Sequence, residues 1–196
     1  GVVVCKVHLH VAPATQQKRL ARLQANKITR WRVTQEDRWL ARHYRPVERA
    51  FERTLAATDQ PLAPWHVVDG TDSQHRALEV GRQLLAAIEH ADDRIPRPRN
   101  APKGAVATAA IRARFKTKPA GALPSDDEYD AELERLQGRL ALLSRRKCFE
   151  RHAVVAAFEG MDAAGKGGAI RRVTAALDAR QFRVVPIAAP APAELA

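Results

Sequence analysis

The chain has 196 residues, and 33 Lys and Arg against 22 Asp and Glu give it a formal net charge of +11. With 45% hydrophobic residues it has a globular composition, and no apolar run approaches the roughly 20 residues of a membrane-spanning helix. Two cysteines are too few for a disulfide scaffold, so a reducing cytoplasm is the expected location, and the charge predicts an anionic partner.

The first predicted element is a strand over Val2–Val11, whose second half alternates between apolar and polar side chains. A helix over Gln16–Ala25 should follow, with Thr15 as its N-cap. His8 and His10 lie two residues apart on one face of the strand, a spacing that can bind metal. Because no third ligand is close in the sequence, we interpret both as ordinary strand residues.

A basic connector over residues 26–33 leads into a second helical region. Thr34 is the predicted N-cap of a long helix, which Pro46 should kink or split because proline lacks the N–H group that a helix interior needs. A short strand at Trp65–Asp69 and a helix over Ser73–His90 complete the first ninety residues.

Residues 92–124 differ in composition, because they combine prolines and basic residues with few large apolar side chains. We interpret them as a linker with a short helix near 105–113. A nucleic-acid-binding arm is the alternative. Only 5% of all residues are aromatic, and aromatic and basic residues do not alternate as in RNA-binding segments, so nucleic acid is not the expected partner.

The last part of the chain predicts a parallel α/β unit. A helix should begin at Ser125, followed by a buried strand at His152–Phe158. After a glycine-rich turn come a helix over Lys166–Leu177 and another strand at Gln181–Ile187. The order strand, loop, helix, strand is typical of parallel sheets covered by helices.

The turn after the buried strand carries the most informative motif. Gly160, Gly165 and Lys166 match the G-x-x-x-x-G-K core of a P-loop, between a hydrophobic strand and a helix. Glycines let the backbone curve into a nest of N–H groups around a phosphate, the helix points its positive end at the same anion, and the lysine adds a mobile charge. The alternative is a glycine-rich turn that carries a lysine by chance.

The loop departs from the usual pattern after the lysine, where Gly167 replaces the Ser or Thr that binds magnesium. Asp162 lies inside the loop instead, and its carboxylate could hold Mg²⁺ or could orient or deprotonate a phosphate acceptor. The residues predicted to bind phosphate are Gly160, Ala163, Ala164, Gly165, Lys166, Gly167 and Gly168.

The segment F-E-G-M-D-A-A-G-K-G-G-A-I-R-R-V-T at 158–174 resembles the phosphate loop of family-2 polyphosphate kinases. The resemblance implies a P-loop kinase-like α/β fold, with a parallel sheet flanked by helices. It also implies an enzyme that moves phosphoryl groups between inorganic polyphosphate and a nucleoside phosphate, with Mg²⁺ as cofactor. Asp162 and Lys166 would be catalytic, and Asp162 would bind the metal.

The first ninety residues resemble a different, later part of the same family, and Lys27-Ile-Thr-Arg-Trp-Arg32 resembles its basic lid. The implied lid residues are Lys27, Arg30 and Arg32. We therefore expect residues 1–91 to be the C-terminal part of a first kinase-like unit and residues 125–196 to be the N-terminal part of a second. Residues 92–124 would be the basic, proline-rich linker between them. The fold would be split over two incomplete units, as in the tandem members of the family, which make ADP from AMP.

The family's acidic strand motif, which begins Asp-Arg and completes the metal and acceptor site, occurs in neither part, so we expect this chain to be the middle of a longer protein. The expected partners are inorganic polyphosphate and AMP or ADP, with no membrane; a homo-oligomer is left open. Two alternatives remain: another P-loop nucleotide kinase that uses ATP, and a non-catalytic polyanion-binding fragment.

Overall fold

The computed structural model describes residues 2–92, 115 and 123–187. Its strands are β1 (Val2–His10), β2 (Trp65–Asp69) and β3 (Ala153–Gly160). Helices in the described ranges are α1 (Pro13–Ala25), α2 (Gln35–Arg42), α3 (Tyr44–Thr58), α4 (Ser73–Asp92), α5 (Asp126–Ser144) and α6 (Lys166–Thr174). Short 3₁₀ turns cover Arg30–Arg32 and Lys147–Arg151.

The three strands form one parallel sheet in the order β2-β1-β3. Strands β1 and β2 belong to residues 2–92, which we call the N-terminal region, and β3 belongs to residues 123–187, the C-terminal region. The sheet therefore joins the parts on either side of the predicted linker, and the predicted parallel α/β fold is confirmed. The derivation of these parts from two kinase-like units stays a prediction.

Helices cover both faces of the central strand β1, because a strand in the middle of a parallel sheet is buried on both sides. One face packs against α4, which in turn contacts α5 and α6, and on the other face His8 packs against Phe51 of α3. The larger core cluster includes Val7, Leu9, Val80, Leu84, Leu85, Leu136 and Leu140. The smaller cluster on the other face consists of Leu55, Trp65 and Phe115, with Phe51 packed against it.

Side-chain caps set the start of two helices, as the sequence predicted. Thr34 and Asp37 form a capping box at the start of α2, and Ser125 and Glu128 form one at the start of α5. The predicted long helix after Thr34 is split at His43 into α2 and α3. The split places proline 46 in the first turn of α3, where its missing N–H group costs nothing.

The start of α1 differs from the prediction. The helix begins at Pro13, three positions before Gln16, and Ala12 is its N-cap with no side-chain hydrogen bond. Thr15 thus lies inside the first turn and does not cap it. Proline is favourable at the first position of a helix, because its φ angle is already helical there. At the other end of the chain α6 stops at Thr174 and does not reach Leu177.

Two predictions about the last strands were wrong. The strand near 152–158 was expected to be buried, but β3 is largely exposed, and the side chain of Val155 is 51% exposed. Among the described residues β3 has a neighbour only on its β1 side, so it is an edge strand. Residues 181–187 form no strand, because none of the described strands pairs with them; Val185 and Ile187 are exposed.

The helix expected near 105–113 lies outside the described residues, as does most of the predicted linker. Phe115 is described within it and packs beside Leu55 and Trp65. No helix in the described ranges has the length and apolar character needed to cross a membrane.

Candidate phosphate-binding site

The phosphate loop (residues 160–168) begins where β3 ends and runs into the first turn of α6. Its backbone has positive φ angles at Gly160 (143°), Ala163 (61°) and Gly165 (97°). Helix α6 begins only at Lys166, so the segment curves between strand and helix, as the two glycines predicted. The left-handed conformation of Ala163 was not predicted, since it costs an alanine about 1 kcal/mol.

Close contacts require glycine at both ends of this curve. A Cβ atom at position 160 would collide with the backbone carbonyl oxygen of Leu9 on β1, and one at position 165 would collide with the guanidinium of Arg76 on α4. Both neighbours belong to the N-terminal region. The glycine spacing of the motif therefore reflects how tightly the two regions meet, as well as the shape of the loop.

Unused N–H groups cluster at the start of α6. Among the hydrogen bonds between described residues, none uses the N–H of Gly165, Lys166 or Gly167. The N–H groups of Ala164 and Gly168, which the sequence also assigned to phosphate, donate to carbonyl oxygens inside the loop at 3.1 and 3.0 Å. Free N–H groups at the positive end of a helix are what an anion-binding loop needs.

The side chains of Lys166 and Asp162 lie on the same side of the loop. The Lys166 ammonium donates to the carbonyl oxygen of Gly160 and lies 4.0 Å from Oδ1 of Asp162. It also approaches the carbonyl oxygen of Met161 at 3.4 Å. A flexible ammonium and a carboxylate thus stand beside the free N–H groups, a combination that can bind a phosphate and its counterion.

Asp162 also meets the start of α2. Burial raises the pKa of the Asp162 carboxyl; Lys166 opposes the rise, while hydrogen bonding and repulsion from Asp37 and repulsion from Glu36 add to it. No group of three or more His, Cys, Asp or Glu side chains in the described residues could hold a metal by itself. Since Mg²⁺ often takes one or two carboxylates and fills its other positions with water and phosphate, Asp162 and Asp37 fit it.

Three further side chains contact the carbonyl oxygens of the loop, and sequence reasoning gave them no role in the site. Gln16 Nε2 lies 3.4 Å from the carbonyl oxygen of Asp162, and Arg19 Nη1 lies 2.8 Å from that of Ala163. Arg76 Nη1 lies 3.3 Å from that of Ala164. A usable signal was their position just after β1 and β2, since sites in parallel sheets form at the carboxyl ends of strands.

The three lid candidates do not contact the loop within the part of the chain that the structure describes. Lys27 and Arg30 are exposed, and the exposed Arg32 lies 5.4 Å from the centre of the Trp31 ring. The acidic start of α2, which follows them directly, is close enough to Asp162 to help raise the pKa of its carboxyl. Their role as a lid stays a prediction.

The two strand histidines both contact aromatic rings, and His10 lies 4.9 Å from Phe115 between ring centres. His8 is 1% exposed and packs between Phe51 and Phe115, with ring centres 4.9 and 5.0 Å away. Burial, with smaller effects of His10 and Lys166, lowers the pKa of His8 to about 3. A neutral, enclosed imidazole in an aromatic cluster is a packing group.

Comparison with known proteins identifies the same family in both regions. The family model Polyphosphate kinase 2 matches residues 1–96 and 124–196. A polyphosphate:AMP phosphotransferase from Pseudomonas aeruginosa is 39% identical over 100% of this chain and 40% of its own length. One from Pseudomonas syringae is 38% identical over 97% of this chain and 39% of its own length.

An ADP-polyphosphate phosphotransferase from Pseudomonas aeruginosa is 48% identical, over 32% of this chain and 20% of its own length. A solved structure described as a polyphosphate kinase 2 from Pseudomonas aeruginosa PA01 has 35% sequence identity, covers 98% of this chain and 34% of that chain, and has a TM-score of 0.35. The chain spans about 40% of the length of the polyphosphate:AMP phosphotransferases that it matches from end to end.

Proposed function

Because this chain belongs to the polyphosphate kinase 2 family, we propose that it takes part in phosphoryl transfer from inorganic polyphosphate to AMP, with ADP as product. The choice of acceptor follows the relatives. Those that match 97–100% of the chain are named for AMP, whereas a relative named for ADP matches only 32% of it.

The observation that carries the proposal is the unused N–H groups of Gly165, Lys166 and Gly167 beside the Lys166 ammonium. In the proposed reaction these groups hold the terminal phosphates and stabilise the negative charge of the transferred group. Phosphoryl transfer depends mainly on such positioning and charge stabilisation, since the protein forms no bond of its own to the phosphoryl group.

Two alternative roles of Asp162 fit this proposal. With Asp37 it would hold Mg²⁺, which when bound neutralises charge on the phosphates. Alternatively, its carboxylate would orient the acceptor or take up its proton, and a raised pKa favours that role because a base is most effective near the working pH. Lys27, Arg30 and Arg32 would bind the polyanion further along its length.

The positive balance of the chain supports a polyanionic donor, because a charge of +11 attracts a ligand whose negative charge repeats. By analogy with other polyanions, we expect the affinity for polyphosphate to fall steeply with salt. We also infer a cytoplasmic location, which the buried free thiol of Cys5 supports.

The donor experiment tests the function. The full-length protein is incubated with AMP and Mg²⁺, and with either polyphosphate or ATP as the phosphoryl donor, and ADP is measured. We expect ADP with polyphosphate and no AMP-dependent transfer from ATP. Transfer from ATP alone would identify another nucleotide kinase, and saturable polyphosphate binding without turnover would identify a polyanion-binding module.

Two variants and one matched control link the activity to the site. Asp162→Asn and Lys166→Met should each abolish measurable ADP formation, because each removes a charge from the reacting group's surroundings. Asp178→Asn removes a carboxylate that lies outside the loop and pairs with Arg180, so it should retain the wild-type rate. Wild-type activity in Asp162→Asn would exclude both roles assigned to Asp162.

A further inference from the structure

Side chains of the N-terminal region bind three consecutive carbonyl groups of the phosphate loop. Gln16, Arg19 and Arg76 donate in turn to the carbonyl oxygens of residues 162, 163 and 164, at 3.4, 2.8 and 3.3 Å. Gln16 is fully buried, and Arg76 is only 6% exposed. The loop thus has one side that is bonded to protein.

Because the peptide bond is planar, holding the carbonyl groups of the loop also fixes the direction of its N–H groups. In a trans peptide the carbonyl of one residue and the N–H of the next point in opposite directions. Holding the carbonyl groups of residues 162 and 164 therefore directs the N–H groups of Ala163 and Gly165 away from Gln16 and Arg76. Arg19 holds the carbonyl between them, and the N–H of the same peptide, on Ala164, closes the turn of the loop by donating to the carbonyl oxygen of Met161. Gly165 is one of the residues whose N–H no hydrogen bond between described residues uses.

Both arginines are themselves anchored to one turn, the one that follows β2. Arg19 Nη2 donates to the carbonyl oxygens of Gly70 and Thr71 at 2.8 and 2.5 Å, and Arg76 Nη1 donates to that of Gly70 at 2.9 Å. Gly70 is fixed to β1 by a 2.6 Å hydrogen bond from its N–H to the carbonyl oxygen of His10. Each guanidinium thus joins the loop to a turn of the sheet.

We propose that Arg19 and Arg76 are positioning residues, which hold the carbonyl side of the phosphate loop so that its N–H groups face the anion. They act through the loop and do not contact the phosphate. This inference rests on the proposed phosphate-binding function, which it deepens by assigning the conformation of the loop to residues outside the P-loop motif.

The test measures the dissociation constant of inorganic tripolyphosphate for the 196-residue chain. Arg19→Met should weaken binding at least tenfold, because the loop loses the group that orients its peptides. Arg22→Met is the matched control: it removes the same charge from an exposed position one turn further along α1, and binding should change by less than twofold. Arg19→Lys should remain at least fivefold weaker, since an ammonium cannot span both the loop and the turn.

The salt dependence separates positioning from direct contact. The slope of log Kd against log salt reports how many ligand charges the protein's cations neutralise. Arg19→Met should keep the wild-type slope, whereas Lys166→Met should lose both affinity and slope. A reduced slope in Arg19→Met, or wild-type affinity in Arg19→Lys, would show that Arg19 acts by its charge and would overturn the proposal.

A titration of the wild type by NMR keeps the test independent of whether a variant folds. The amide signals of Ala163 and Gly165 should shift on addition of tripolyphosphate, while the guanidinium signals of Arg19 stay in place. Guanidinium shifts as large as those of the amides would overturn the positioning role. If the wild type shows no saturable binding, the phosphate-binding function fails; if it binds and Arg19→Met binds equally well, only the positioning role fails.

Discussion

The N-terminal and C-terminal regions contribute to the molecule in opposite ways. The N-terminal region supplies the buried centre of the sheet, where Leu9 and Val80 are completely enclosed. The C-terminal region supplies the phosphate loop, but its strand β3 lies at the edge, with Val155 51% exposed. The phosphate-loop motif thus lies in the region whose strand is the more exposed to solvent.

The difference shows that a phosphate loop can be recognised from its sequence motif although its conformation depends on contacts with another part of the chain. Eight residue pairs align β1 with β3, from Val2 with Ala153 to Leu9 with Gly160. The last pair brings the start of the loop against the central strand. Further along the loop, Arg19 and Arg76 of the N-terminal region donate hydrogen bonds to its carbonyl oxygens. Four experiments test how the two regions differ and how they depend on each other.

The largest effect is expected from Gly160→Ala, at the closest approach of the two regions. The new Cβ would collide with the Leu9 carbonyl oxygen at a φ of 143°, so we expect the free energy of unfolding to fall by about 3 kcal/mol or more. Urea denaturation measures it. Gly138→Ala is the control, because open space surrounds that position in α5, and it should be neutral or stabilising.

The next effect compares one substitution in two strands. Val7 in β1 is 1% exposed and Val155 in β3 is 51% exposed. Val7→Ala should cost about 2 kcal/mol of unfolding free energy, and Val155→Ala less than about 1 kcal/mol. Both changes lose the same strand propensity, so the difference reports burial alone. Equal losses in denaturant titrations would contradict the edge position of β3.

The next effect, smaller when expressed per pH unit, is the pH dependence of stability that His8 on the enclosed side of β1 should cause. Because His8 has a pKa of about 3 in the folded chain and the ordinary value of 6.5 when unfolded, the unfolded state binds one more proton between these values. Stability should therefore fall as the pH decreases through this range, with a contribution of up to about 1.4 kcal/mol per pH unit.

His8→Leu should remove that contribution, so that unfolding free energies measured between pH 7 and pH 4 decline less steeply than in the wild type. Other titrating groups contribute equally to both proteins and cancel in the difference. Parallel curves for the two proteins would mean that the imidazole is not kept neutral among Phe51 and Phe115.

The smallest effect should be a gain, where helices of the two regions meet. Gly81 lies inside α4, and a Cβ there would lie 3.4 Å from Leu136 Cδ1 on α5, at an ordinary contact distance. Gly81→Ala should stabilise the chain by about 1 kcal/mol through helix propensity and added apolar contact. The gain in unfolding free energy from Gly81→Ala should exceed that from Gly138→Ala by about a few tenths of a kcal/mol. A loss of stability in Gly81→Ala would show that α4 and α5 pack more closely than described.

Local patterns in the sequence predicted most of the elements. The capping residues Thr34 and Ser125 marked true helix starts, and Pro46 marked a true break. Where a stronger local preference competed, the prediction was wrong, as at Pro13, which starts α1 in place of Thr15 as cap. These outcomes depend on contacts within a few residues, which a sequence displays directly.

Contacts between distant parts of the chain were not predictable in the same way. The hydrophobic run of β3 was expected to be buried, and residues 181–187 to be a strand, because both have strand composition. Burial and pairing depend on which neighbours surround a segment. Strand β3 is exposed because it lies at the edge of the sheet, and residues 181–187 pair with none of the described strands.

The sequence by itself determined the glycines and the lysine of the phosphate loop and the family to which both regions belong, since these follow from residue types at fixed spacing. Only the tertiary structure decided that strands from both regions share one sheet, that Asp37 meets Asp162, and that Arg19 and Arg76 hold the loop. The physical reason is that a hydrogen bond or an ion pair depends on distance in space, which residues far apart in the chain reveal only after folding.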